Sequence, residues 1–161
     1  MATPSDAPLQ VLEAVLRQRR WPYIALPELG EAVRVDFAGT SGRWTCLGLE
    51  AGQHQGLVFL SVCPVACPAD ARARVAELCL RANQGLVFGS LELDYDTGEV
   101  RLKTSVPTPD ATLPAELCAL LLDTNLAAFD RHLPAIMTVI YGGATPAEAL
   151  AKLTRETPAS E

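Results

Sequence analysis

Two histidines and five cysteines are the side chains of this 161-residue sequence best suited to nucleophilic or metal chemistry. Acid–base or nucleophilic work by histidine needs His54 or His132 beside a hydroxyl, thiol or carboxylate. Neither stands in a nucleophile motif, and no Gly-x-Ser-x-Gly occurs. Cys63-Pro64-Val65-Ala66-Cys67 has a spacing that a metal could use. Structural zinc asks for four ligands, usually from two such pairs. Cys46, Cys79 and Cys118 are isolated, so the segment reads as a strand end followed by a helix start. Asp94-Tyr95-Asp96-Thr97-Gly98-Glu99 echoes a calcium loop without its helix-loop-helix setting or its later bidentate glutamate, and reads as a hairpin turn. Neither Gly-x-Gly-x-x-Gly nor Gly-x-x-x-x-Gly-Lys-Ser/Thr is present. No catalytic, cofactor or metal residue is expected. A small-molecule sensor, or a hydrolase using His132 with a cysteine or carboxylate, stays open as the alternative.

Composition narrows the class of partner. Thirteen Lys and Arg against nineteen Asp and Glu leave a net charge of −6. That balance disfavours a phosphate backbone and an acidic membrane surface. Base stacking through Trp21, Tyr23 and Trp44 beside nearby arginines is the weakest option. With 49% hydrophobic and 20% charged residues the chain should fold, as one domain. Residues 1–8 carry no Lys or Arg before an apolar run, and residues 57–67 are too short to span a bilayer. The cysteines then read as reduced, buried thiols, and a soluble, cytoplasmic protein is expected.

The elements that must position any site follow from periodicity. Ser5 and Asp6 are placed to start a helix in which Leu9, Leu12 and Leu16, with Val11 and Val15, form one stripe. Arg17, Arg19 and Arg20 sit at its negative end, and Trp21-Pro22 closes it. Alternation in 33–37, then 43–50 and 57–63, predicts an antiparallel meander, with 57–63 apolar on both faces and therefore covered on both. A second helix is expected over 68–83, with Val75, Leu78, Cys79 and Ala82 inward. Strands over 86–93 and 99–106 flank the Asp94–Gly98 turn, and 107–112 is a linker. A long helix over 113–141, interrupted by Pro134, ends at Gly142-Gly143. Thr145-Pro146-Ala147-Glu148 is a capping box for a short last helix. The expected fold is α+β: a five-stranded antiparallel sheet with packed helices, in the order α-β-β-β-α-β-β-α plus a short C-terminal helix. Residues 1–4 read as a flexible N-terminus, 5–153 as the domain, and 154–161 as a frayed tail.

In the long helix, Glu116, Asp123, Thr124, Asp130, Arg131 and Thr138 share an arc of roughly 120°. The apolar remainder is about twice the stripe that one sheet face buries. It is covered either by helices of the same chain or by a second subunit. The candidate dimer or partner interface is therefore Leu117, Leu121, Leu122, Asn125, Phe129, His132 and Ile136. Asn125 and His132 lie mid-arc and need hydrogen-bond partners.

From Cys79 onward the sequence resembles the YbjN family. The resembling segments are Leu80-Arg81-Ala82-Asn83, the hairpin from Leu93-Asp94 to Leu102, and the Pro107 linker. Asp130 with Leu133-Pro134, and Ile140-Tyr141-Gly142-Gly143, complete the set. This resemblance implies a fold similar to type III secretion chaperones, which are small acidic cytoplasmic dimers that hold a partner protein. It also implies links to stress response and regulation, and it supplies no catalytic residues. The expected function is a non-enzymatic adaptor or chaperone, without cofactor or direct nucleic-acid contact. It would form a homodimer and hold a client protein, with a basic nucleic-acid-handling or DNA-repair protein as one such client.

Overall fold

A computed structural model describes residues 7–109 and 112–156. In chain order the elements are α1 (Pro8–Gln18), β1 (Ile24–Ala25), β2 (Ala32–Ala38), β3 (Arg43–Glu50), β4 (Gly56–Val62), α2 (Arg72–Asn83), β5 (Ser90–Leu93), β6 (Val100–Pro107), α3 (Ala115–Tyr141) and α4 (Pro146–Glu156). All strand pairings are antiparallel, and the sheet order is β1-β2-β3-β4-β6-β5. The sheet has six strands rather than the expected five. The additional strand, β1, pairs just two residues with β2, and a segment that short carries no alternation to read.

The helices pack on one face: α1 against β2, β3 and β4, α3 across β4 and β6, and α2 on β5, with α4 against α2 and α3. Alternation directs Val33, Val35, Trp44, Cys46, Leu57, Phe59, Leu102 and Thr104 into this layer, all buried. Gly48 lets α1 approach, because the Leu12 side chain occupies the place of a Cβ there. On the opposite face of β4, Leu60 is buried and Val58 and Val62 on either side of it are half-buried. The expectation that both faces of 57–63 are covered holds at Leu60 and is corrected for its two neighbours.

Four boundaries also differ from the periodicity. Residues 86–89 leave the sheet, and β5 begins at Ser90 after Gly89 at φ +98°. Residues 68–71 form a turn, with the Ala71 N–H donating to the Pro68 carbonyl, so α2 starts at Arg72. α3 runs through Pro134 without interruption. The proline forgoes one main-chain bond, but buried Leu133, Ala135, Ile136 and Val139 hold the helix on the core. α4 continues to Glu156, beyond the expected end at 153. Its capping box forms as expected: the Thr145 N–H donates to Glu148 Oε2 at 2.9 Å, and the Glu148 N–H to Thr145 Oγ1 at 3.3 Å. The caps proposed on Ser5 and Asp6, and the segments 1–4 and 157–161, lie outside the described residues. At the start of α1 the Ala7 N–H donates to Gln10 Oε1.

The hairpin between β5 and β6 is a solvated turn, as read. Asp94 Oδ1 accepts the N–H groups of Asp96 and Thr97 at 2.9 and 3.0 Å, and Gly98 takes φ +80°. At the other end of β5, the Asn83 amide bonds both main-chain groups of Leu91.

Candidate functional site

The residues singled out on the long helix divide into two groups. Leu122, Asn125, Phe129, His132 and Ile136 are buried within one copy of the chain. A second subunit cannot reach them without opening the fold, so they do not form an interface. Two surfaces of the same chain account for the wide apolar arc: the sheet beneath α3, and the helices α1, α2 and α4 beside it. Leu121 is half-buried and Leu117 is 40% exposed. Of the seven candidate residues, these two at the N-terminal end are the accessible ones.

The polar pair within the arc serves the core. Asn125 accepts the Ser61 hydroxyl on Oδ1 at 2.6 Å and donates Nδ2 to the Phe59 and Leu102 carbonyls at 2.9 and 3.1 Å. Ser61 in turn accepts the Trp44 indole N–H at 2.9 Å. This side chain joins α3 to β4 and β6 in a network whose buried members are satisfied. His132 Nδ1 lies 2.7 Å from the Ala128 carbonyl one turn back. Burial holds the imidazole below its ordinary titration range, and the Ala128 bond only partly offsets this. Two cavities border α3, one along Leu117 to Thr124 and one along Asp123 to Asp130, and His132 lines neither of them.

The thiols are buried as expected. Burial pushes Cys46, Cys79 and Cys118 up to about 11, which leaves little thiolate at neutral pH. Among the described residues no group of three or more His, Cys, Asp or Glu side chains could hold a metal ion. None of the described helices is long and apolar enough to cross a membrane. Trp44 is enclosed by Phe37 and Phe129 at ring-centroid distances of 5.1 Å, so it offers no face to a nucleobase.

A site of another kind lies beside the accessible end of α3. Leu117, Leu120, Leu121 and Thr124 follow the i, i+3, i+4, i+7 spacing of one helix face. With Val87 and Phe88 they enclose a groove of about 430 Å³ along Thr104, Ser105 and Val106 of β6. Val87 is 83% exposed, Phe88 71% and Leu120 61%. Apolar side chains grouped in this way mark a surface for a partner. Lys103 is the one charged residue of the lining, and it is ion-paired with Glu92. The other polar side chains of the lining are the hydroxyls of Ser90, Thr104, Ser105 and Thr124, so the surface offers apolar contact and hydrogen bonding. Of the expected interface, Leu117 and Leu121 belong here. Nothing in the pattern of 86–93, which is that of one strand, marks out Val87 and Phe88. Leu120 lies toward the polar side of the helix, although its distance of three residues from Leu117 was a usable signal.

Comparison with known proteins places this fold. Residues 8–137 match the YbjN family, described as "Putative bacterial sensory transduction regulator". No curated protein matches the chain. The structure is similar to the crystal structure of YbjN, "a putative transcription regulator from E. coli", with a TM-score of 0.58 at 11% identity, covering 84% of this chain and 90% of that one. It is also similar to a chain of the ExsC-ExsE complex, with a TM-score of 0.50 at 17% identity, covering 78% of this chain and 92% of that one.

Proposed function

This chain belongs to the YbjN family, and we propose that it is a non-enzymatic protein-binding module, of the adaptor or chaperone kind, that holds a segment of another polypeptide. The observation that carries the reading is the groove between Phe88 and Leu120, an apolar surface left open on a protein whose core is otherwise enclosed. The regulatory description of the family and the fold shared with a chain of the ExsC-ExsE complex support it.

Charge adds a preference about the partner. A net charge of −6 attracts a basic protein at long range, which speeds encounter more than it tightens the seat. A client that handles nucleic acid has such a surface. Seat and steering then separate kinetically: salt should slow association, whereas loss of the groove should hasten dissociation.

Affinity capture from the native cell tests the reading, with the wild-type chain compared against the double variant Phe88→Ser, Leu120→Ser. At least one captured protein should be lost with the variant while the variant's denaturation midpoint is preserved. Identical captured sets would overturn the assignment of the groove.

A further inference from the structure

The outer strand of a sheet presents main-chain groups without neighbours, and proteins cover or blunt such edges. Here the β5 edge is closed at Leu91 by one side chain. Asn83 accepts the Leu91 N–H on Oδ1 at 2.8 Å and donates Nδ2 to the Leu91 carbonyl at 3.1 Å. β6 differs. It has eight residues, of which β5 pairs only with Val100, Arg101, Leu102 and Lys103. From Thr104 to Pro107 its strand neighbour lies on the β4 side alone. The chain that would extend β5 alongside turns away at Gly89, where a Cβ would lie 2.6 Å from the Lys103 carbonyl oxygen. Val87 and Phe88 therefore stand off from β6. The groove occupies the lane of a missing strand.

The geometry points to strand addition: an extended segment of another protein pairs with the overhang from Thr104 to Pro107. This inference rests on the protein-binding reading above. A strand supplies the donors and acceptors that the overhang can use. Its alternate side chains point to opposite faces, so every second one enters the apolar space between Phe88, Leu117 and Leu120. The segment should be near neutral in the groove, because Lys103 is already held by Glu92. An amphipathic helix would fill the space but leave the overhang's main chain unpaired. A second copy fits poorly. Its own overhang is flanked by the same loop and helix wall, and two recessed edges cannot close to the strand spacing of about 4.8 Å.

Peptides selected from a display library of random twelve-residue sequences on the full chain provide the probe. A selected peptide should bind one-to-one, and Phe88→Ser and Leu120→Ser should each weaken it by roughly tenfold or more. Single backbone N-methylation of the peptide should abolish binding at alternate positions only. Amide exchange at Ser105, whose N–H turns toward the open lane by the alternation of the ladder, should slow in the complex, whereas Val106, which faces β4, should not change. Uniform tolerance of N-methylation, with groove dependence intact, overturns strand addition and leaves the protein-binding reading standing. Peptides that bind regardless of Phe88 and Leu120, or groove variants that shift the chain from dimer to monomer, also overturn it. A library without binders, together with captured sets that do not depend on the groove, removes the protein-binding reading itself.

Discussion

The two ends of α3 have similar composition and opposite surroundings. Around Asn125, Phe129 and Ile136 the helix lies on the sheet and is sealed by α1 and α4. Around Leu117 and Leu120 it passes beside an overhanging strand that has no second neighbour. At one end apolar residues buy stability; at the other they remain available to something outside the chain. Hydrophobicity alone does not separate these uses. What separates them is whether the strand beneath has its full complement of pairing partners.

Substitutions at the two ends should differ accordingly. Phe129→Ala opens a cavity beside Trp44 and should cost about 3–5 kcal/mol in urea unfolding. A loss below about 1 kcal/mol would mean that this end is not the sealed one. Asn125→Ala strips partners from Ser61 and from the Phe59 and Leu102 carbonyls, and should cost about 2–4 kcal/mol by the same measurement. At the open end Leu120→Ser should shift stability by no more than about 0.5 kcal/mol while weakening partner binding. A strongly destabilised Leu120→Ser would erase the contrast.

The smallest effect concerns pH. The His132 imidazole titrates lower in the folded chain than its ordinary value of 6.5, so it contributes stability above that pH. This contribution should fall away as acid drives the pH down through the lowered value. Denaturation midpoints followed from neutral to mildly acidic pH should show the loss, and His132→Gln should flatten it. Asp94 and Glu148, whose carboxylates are held below their ordinary range by main-chain N–H donors, should give up their share only at lower pH. An unchanged profile in His132→Gln would move the titration to other groups.

Much of this arrangement was legible in residue types. The stripe of Leu9, Leu12 and Leu16, the turn at Asp94 and Gly98, and the box at Thr145 and Glu148 each declare themselves within a few residues. The width of the α3 arc is legible in its period, but the choice between its two possible covers, the chain's own helices or a second subunit, is not. Period reports how much of a helix is apolar and says nothing about which neighbour lies over each sector. β1 was too short to carry a period. Val87 and Phe88 looked like strand because their departure from the sheet depends on the backbone at Gly89. Pro134 signalled a break that packing overrides. Of the candidate site, Leu117 and Leu121 were visible, whereas the overhang of β6 depends on where β5 stops and so on two strands at once.

Asn83 has a consequence for how the molecule behaves in a crowded solution. One amide stands between the Leu91 backbone and any passing chain, immediately beside a strand that is already bare further along. Replacing it with alanine would bare the outer margin of β5 as well, one strand spacing beyond the lane beside β6. Such a margin selects for length rather than for side chains, and it templates fibres as readily as it accepts clients. By keeping that amide in place, the protein holds the open lane at this end of the sheet to the four residues of β6.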